Sequence, residues 1–203
     1  MDTHTETTPT IDLEPAARQI AGLLDGIAEQ QLADPTPCPD YTVQELLAHV
    51  AALSTAFRDA ARKNFGPTTD TAPDVALPVL ADDWRESLPP LLDELVTAWP
   101  VPAARQGMTG AGSVDMPGEA AAVDELVIHG WDLARSTGQK YEADEASLLV
   151  SLAMLTPNDT VPRSESIFGL PVPDPADAPL VDRAVAMSGR RPDWQPGASA
   201  ALP

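Results

Sequence analysis

Helical periods dominate the pattern of apolar and polar positions along this chain. The first run spans about Leu13 to Gln31, with Ile20, Leu23, Leu24 and Ile27 as its stripe. Pro35, Pro37 and Pro39 then break the chain. A second helix is signalled by Thr42-Val43-Gln44-Glu45. This is a capping box, in which the threonine side chain accepts from an exposed N–H while the glutamate reaches back. The pattern carries this helix to about Lys63, and residues 64–78, with Gly66, Pro67, Pro73 and Pro78, read as a loop. A third helix is expected from Leu80 to Ala98, with Trp84, Leu88, Leu91, Leu92 and Leu95 as its apolar positions. Pro89 and Pro90 fall within it and are expected to kink or restart it.

Residues 100–116 contain glycines and only weak alternation, the pattern of a loop or a short extended piece. Pro117 stands at a first-turn position for a fourth helix, and Gly138 is the candidate cap at its end. A fifth helix is expected from about Ala143 to Leu155. From Thr156 onward the chain is proline-rich, with one short helical piece from Leu180 to Met187. That segment holds too few hydrophobic residues for a second domain. Ile167, Phe168 and Leu170 are its expected anchors. The predicted organisation is all-α: a helical bundle over residues 1–155, of which 1–10 form a loose tail, and an irregular proline-rich extension over 156–203 packed on it.

Three polar residues disturb these apolar stripes. Glu125 and His129 are four apart, one helical turn, and so share a face, with Ala122, Leu126 and Leu133 around them. His49 lies among Leu46, Val50, Leu53 and Phe57. An unpaired carboxylate on an inward face is costly. A divalent cation held by two imidazoles and a carboxylate removes that cost. The spacing leaves a second reading open: a hydrogen-bonded core histidine, with Glu125 paired to an arginine. If the metal reading holds, histidine nitrogen and carboxylate oxygen suit Zn²⁺ first, with Ni²⁺ or Fe²⁺ as alternatives. Three protein ligands leave a position open for water or substrate, as in catalytic sites.

Length and charge narrow the field. At 203 residues and 43% hydrophobic, the chain is one domain with a real core. No apolar stretch reaches the length of a membrane span, and the polar, acidic start does not read as a signal peptide, so a cytoplasmic protein is expected. A net charge of −19 argues against nucleic acid and anionic membrane surfaces as partners. The single cysteine, Cys38, rules out an internal disulfide and a cysteine-cluster zinc site. No Ser-His-Asp order, glycine-rich phosphate loop or nucleotide fingerprint is visible.

Three segments carry a family resemblance. They are Pro-Thr-Pro-Cys-Pro-Asp-Tyr-Thr-Val-Gln-Glu-Leu-Leu-Ala-His-Val at 35–50, Glu-Leu-Val-Ile-His-Gly-Trp-Asp-Leu-Ala-Arg-Ser-Thr-Gly at 125–138, and Phe-Gly-Leu-Pro-Val-Pro-Asp-Pro-Ala-Asp-Ala-Pro-Leu-Val-Asp-Arg at 168–183. The chain resembles the mycothiol-dependent maleylpyruvate isomerase-like proteins of the DinB-like metal-binding helical superfamily. The resemblance implies an up-down four-helix bundle, here with an extra helix and the proline-rich tail. It also implies a divalent metal on the residues matching His49, Glu125 and His129, and mycothiol as co-substrate. A homodimer is a further option by family analogy. Two departures stand out. The chain has no room for the extra C-terminal α/β domain of the well-characterised isomerase, and Tyr41 replaces the family's usual tryptophan.

The expected activity is a metal-dependent thiol transferase or isomerase acting on a small electrophile. A metal-dependent hydrolase of the same fold and a non-catalytic metal- or ligand-binding module are the alternatives. Asp132, three residues after His129, is a candidate to orient an imidazole N–H, or else an exposed carboxylate or a partner of Arg135 or Arg18. Trp131 either lines the pocket or packs. Arg58 and Arg62 either draw an anionic substrate or form surface salt bridges. Cys38 is either a reactive thiol or a small buried hydrophobe.

Overall fold

A computed structural model describes residues 11–70, 79–107, 118–156, 169–173 and 177–197 of the chain. Its helices are α1 (Glu14–Leu24), α2 (Val43–Ala61), the short α3 (Pro67–Asp70), α4 (Trp84–Ala98), α5 (Gly118–Thr137), α6 (Glu145–Leu155) and α7 (Leu180–Met187). No strand occurs among the described residues, so the fold is all-α, as expected. Helices α4 and α5 each pack against both α1 and α2, which closes a four-helix bundle. α6 lies on the outside of α5, and α7 on α6. None of the described helices is long and apolar enough to cross a membrane.

The apolar stripes explain this arrangement. Ile20 and Leu24 of α1, Leu46 and Leu47 of α2, Leu88, Leu92 and Leu95 of α4, and Leu133 of α5 are almost wholly buried in one core. Helix α2 begins where its capping box predicts: the Glu45 N–H donates to the Thr42 hydroxyl, and the Thr42 N–H donates to the Glu45 carboxylate at 2.8 Å. Helix α5 ends at Thr137, with Gly138 at a φ of +70°, the left-handed cap that favours glycine. Asp144 caps α6 by accepting the Ser147 N–H at 3.0 Å.

Several boundaries differ from expectation. The first helix stops at Leu24 rather than Gln31, and only a 3₁₀ turn, Glu29–Gln31, follows. The Leu24 and Ile27 carbonyls are taken by the Arg85 guanidinium at 2.9 and 2.6 Å, and Gln139 donates to the Leu23 carbonyl at 3.0 Å. Long-range donors thus replace the next helical turn. The stretch 64–78 is not wholly a loop, because α3 occupies part of it. The third helix begins at Trp84, and Pro89 and Pro90 lie inside it without interrupting it. Its buried stripe, Trp84, Leu88, Leu92 and Leu95, outweighs the lost hydrogen bonds. In 100–116, residues Pro102–Arg105 form a 3₁₀ turn. Pro117 and the anchors Ile167 and Phe168 lie outside the described residues. Leu170 is 69% exposed among the described residues, which is not the burial expected of an anchor. The described part of the C-terminal stretch is held instead by Ala184, Val185 and Ala186 of α7, all buried.

Candidate metal centre

The two stripes that carry polar residues meet where α2 crosses α5. The ligand atoms of His49, Glu125 and His129 all lie within 4.8 Å of one another. Glu125 Oε2 is 3.0 Å from His129 Nε2 and 3.8 Å from His49 Nε2. The two imidazoles stand edge to face, with centroids 4.9 Å apart. Ligands about 2.0–2.2 Å from one tetrahedral ion are separated by roughly 3.3–3.6 Å. The observed separations bracket that range.

Each imidazole keeps Nε2 toward the carboxylate because Nδ1 is engaged behind it. Asp132 Oδ2 lies 3.0 Å from His129 Nδ1, and the Tyr41 hydroxyl lies 3.3 Å from His49 Nδ1. Orientation of a ligating histidine through its other nitrogen is a recurrent support of metal sites. Tyr41 comes from the proline-broken segment before α2, where the Thr36 hydroxyl sits 2.8 Å from the Tyr41 carbonyl. Gly130, next to His129, admits the ring of Tyr141, whose hydroxyl donates to the Val127 carbonyl at 2.7 Å; a Cβ at Gly130 would stand 3.0 Å from that ring.

Charge reinforces the geometry. Burial alone would raise the Glu125 pKa, but the hydrogen bond from His129 and the nearby His49 imidazole hold it well below the usual carboxylate range. Burial alone would lower His129, but the Asp132 and Glu125 carboxylates carry it up to about 9. Without an ion, a proton on His129 therefore holds this cluster together. The donor set fits a divalent cation: two imidazole nitrogens and an ionised carboxylate converge, with both rings fixed from behind.

Of the other expected residues, Asp132 is wholly buried, and its partner beyond His129 is neither Arg135 nor Arg18. It is Arg190, whose guanidinium nitrogen Nη2 lies 3.1 Å from the same Oδ2 atom. Nothing in the sequence reading singled out Arg190. Trp131 is buried and lies beneath the Arg135 guanidinium, 5.4 Å from the ring centroid, and does not line the cavity beside the centre. Arg58 pairs with Asp59 at 2.8 Å and Glu94 at 3.2 Å, and Arg62 with Glu94 at 3.0 Å. Both arginines thus form salt bridges away from the cluster. Cys38 is buried, and burial pushes its thiol up to about 11, which keeps it protonated and unreactive.

Beside the cluster lies a small, partly open pocket whose free volume, about 10 Å³, is room for about one water. Val50, Leu53, Phe57, Leu95 and Leu126 make its apolar walls, and Glu125 and His129 form its polar end. Ser54 also lines it; this hydroxyl is buried and finds no hydrogen-bond partner among the described residues. An orphaned hydroxyl here was not foreseen, because a serine in a helix ordinarily donates to the carbonyl one turn back. Next to Glu125, Asp124 is buried against the Ser151 hydroxyl, and burial raises it to about 7.

Uncharacterized protein MT0763 and Uncharacterized protein Rv0738, both of Mycobacterium tuberculosis, are each 25% identical over 192 residues, covering 90% of this chain and 97% of their own length. A solved structure, the mycothiol-dependent maleylpyruvate isomerase, is similar with a TM-score of 0.48 and 18% identity over 71% of this chain and 68% of that one. The model of the mycothiol maleylpyruvate isomerase N-terminal domain matches residues 13–134, more than half of the chain and including all three candidate ligands. By that match, the chain belongs to the mycothiol maleylpyruvate isomerase N-terminal domain family.

Proposed function

We propose that this protein is a divalent-metal-dependent enzyme of the thiol transferase or isomerase type, with a mycothiol-like thiol as co-substrate and a small electrophile as substrate. The observation that carries the reading is the convergence of His49, Glu125 and His129 within 4.8 Å, beside a cavity. Zinc is the metal the donor set favours. When bound, such an ion supplies Lewis acidity, which favours the thiolate form of a thiol at its open position.

The chain's own residues supply the rest. His49, Glu125 and His129 hold the three protein positions, and Tyr41 and Asp132 fix the two rings. A dication together with Glu125, Asp132 and Arg190 leaves one positive charge uncompensated among buried groups. One anionic thiolate balances it. The apolar walls of the small pocket shield the open side of the centre from bulk water, and Ser54 offers one hydrogen bond to a group entering there. The proposed organisation is a metal-binding helical bundle over residues 1–155, with 1–10 as a loose tail, and a proline-rich extension over 156–203 packed on it.

The test is turnover of a cis-configured electrophilic alkene by zinc-loaded protein with and without mycothiol. The account expects product only with thiol and metal together, and none from His49→Ala. Metal-dependent hydrolysis without thiol selects the hydrolase instead. Tight metal retention with no turnover on a broad electrophile panel selects a binding module.

A further inference from the structure

Arg190 is the least expected member of the centre. It comes from the proline-rich C-terminal stretch, 58 residues from Asp132, yet its side chain is only 10% exposed. Its position is set by the end of α7. The Gly189 N–H donates to the Ala186 carbonyl and the Arg190 N–H to the Val185 carbonyl, both at 3.1 Å. This pair of bonds is a Schellman closure, with Gly189 at a φ of +86°. The turn is also clamped from outside. A Cβ on Gly189 would lie 2.8 Å from the backbone of Gly169, and the Val172 N–H donates to the Ala186 carbonyl at 3.0 Å. The arginine is therefore delivered by a rigid cap.

Its head group meets Asp132 Oδ2, the same atom that faces His129 Nδ1. A wholly buried carboxylate with no cation nearby would be costly. Arg190 offsets that charge and holds the carboxylate in place. The guanidinium also donates from Nη1 to the Ser188 carbonyl at 3.1 Å, which restricts its rotation.

We infer that Arg190 is a positioning residue for the metal centre: through Asp132 it holds the His129 imidazole with Nε2 toward the ion, so the C-terminal segment completes the site built by the bundle. This inference rests on the ligand set proposed above. The segment acts on the centre from behind and touches neither metal nor substrate.

The test is competitive zinc titration of metal-free protein against a chromophoric chelator, using wild type, R190Q, D132N and the double variant, with thermal melts of each metal-free form. Loss of support behind a ligating histidine costs about 10–100-fold in metal affinity. Each single variant should show that loss, and the double variant should be no weaker than the weaker single one. In zinc-loaded R190Q the His129 imidazole ¹⁵N shifts should move while those of His49 stay as in wild type. Should R190Q not fold, the double variant, which leaves no unpaired ion buried, must still bind about 10–100-fold more weakly than wild type. R190Q that binds zinc as wild type does, losses that multiply in the double variant, or a double variant equal to wild type overturns the role of Arg190. Wild-type protein that takes up no zinc overturns the ligand set itself, and this inference with it.

Discussion

Asp124 offers a quantitative check on the electrostatics of the bundle interior. It is 2% exposed, its partner is the Ser151 hydroxyl, and burial raises it from 3.8 to about 7. The folded pKa of this acid lies above its unfolded value, so the native state binds more protons than the unfolded one between about pH 4 and pH 7. Stability from this group is therefore fully present below pH 4, falls as pH rises through that window, and stays reduced above it. A shift of about three units corresponds to about 4 kcal/mol. Asp124→Asn keeps the acceptor for Ser151 and removes the titration. Chemical unfolding of wild type and variant with chelator present, at pH 4.5 and pH 8, isolates the effect, because every other titration is common to both. Because pH 4.5 already lies above the unfolded value, the variant should gain about 3 kcal/mol relative to wild type between the two pH values. A difference that is the same at both, or a variant less stable at pH 8, refutes the assignment of Asp124 as a carboxyl kept neutral by burial.

Three further outcomes follow from the same interior. His129 carries a proton up to about pH 9 in the metal-free state, so zinc must displace it; apparent affinity should rise about tenfold per unit between pH 6 and pH 8, and a flat profile by chelator competition contradicts this. Ser54→Ala removes a buried hydroxyl without a partner among the described residues and should stabilise the ligand-free protein by about 1 kcal/mol; a destabilised variant in urea unfolding would show that the hydroxyl is satisfied. Gly189→Ala forces a side chain into a left-handed position against Gly169 and should cost at least about 1–2 kcal/mol, a melting temperature lower by several degrees; an unchanged melt counts against the clamp.

Local signals were the ones legible in the sequence. Thr42 with Glu45, Gly138 after the fourth long helical run, and the octet Leu180 to Met187 each act through bonds within a few residues, and each appears as expected. Glu125 and His129 are visible for the same reason, since one turn sets their common face. His49 needed its own stripe and the family resemblance, because the crossing of two helices is a tertiary fact. The early end of α1 was not legible, because the groups that close it, Arg85 and Gln139, are far along the chain. Pro89 and Pro90 misled because local propensity points one way and four buried apolar residues the other. Gly189, just beyond that octet, closes it with a left-handed cap. That the next residue would reach Asp132 is set by how α7, α6 and α5 stack, which no local pattern encodes.

The central claim is that one divalent ion is held by two imidazoles and one carboxylate from α2 and α5. X-ray absorption at the zinc edge of the zinc-loaded protein reads that donor set directly. The account predicts two histidine scattering patterns and oxygen or nitrogen donors at about 2.0–2.2 Å, with His49→Ala losing one imidazole. A spectrum with no imidazole scattering, or one unchanged by His49→Ala, contradicts it.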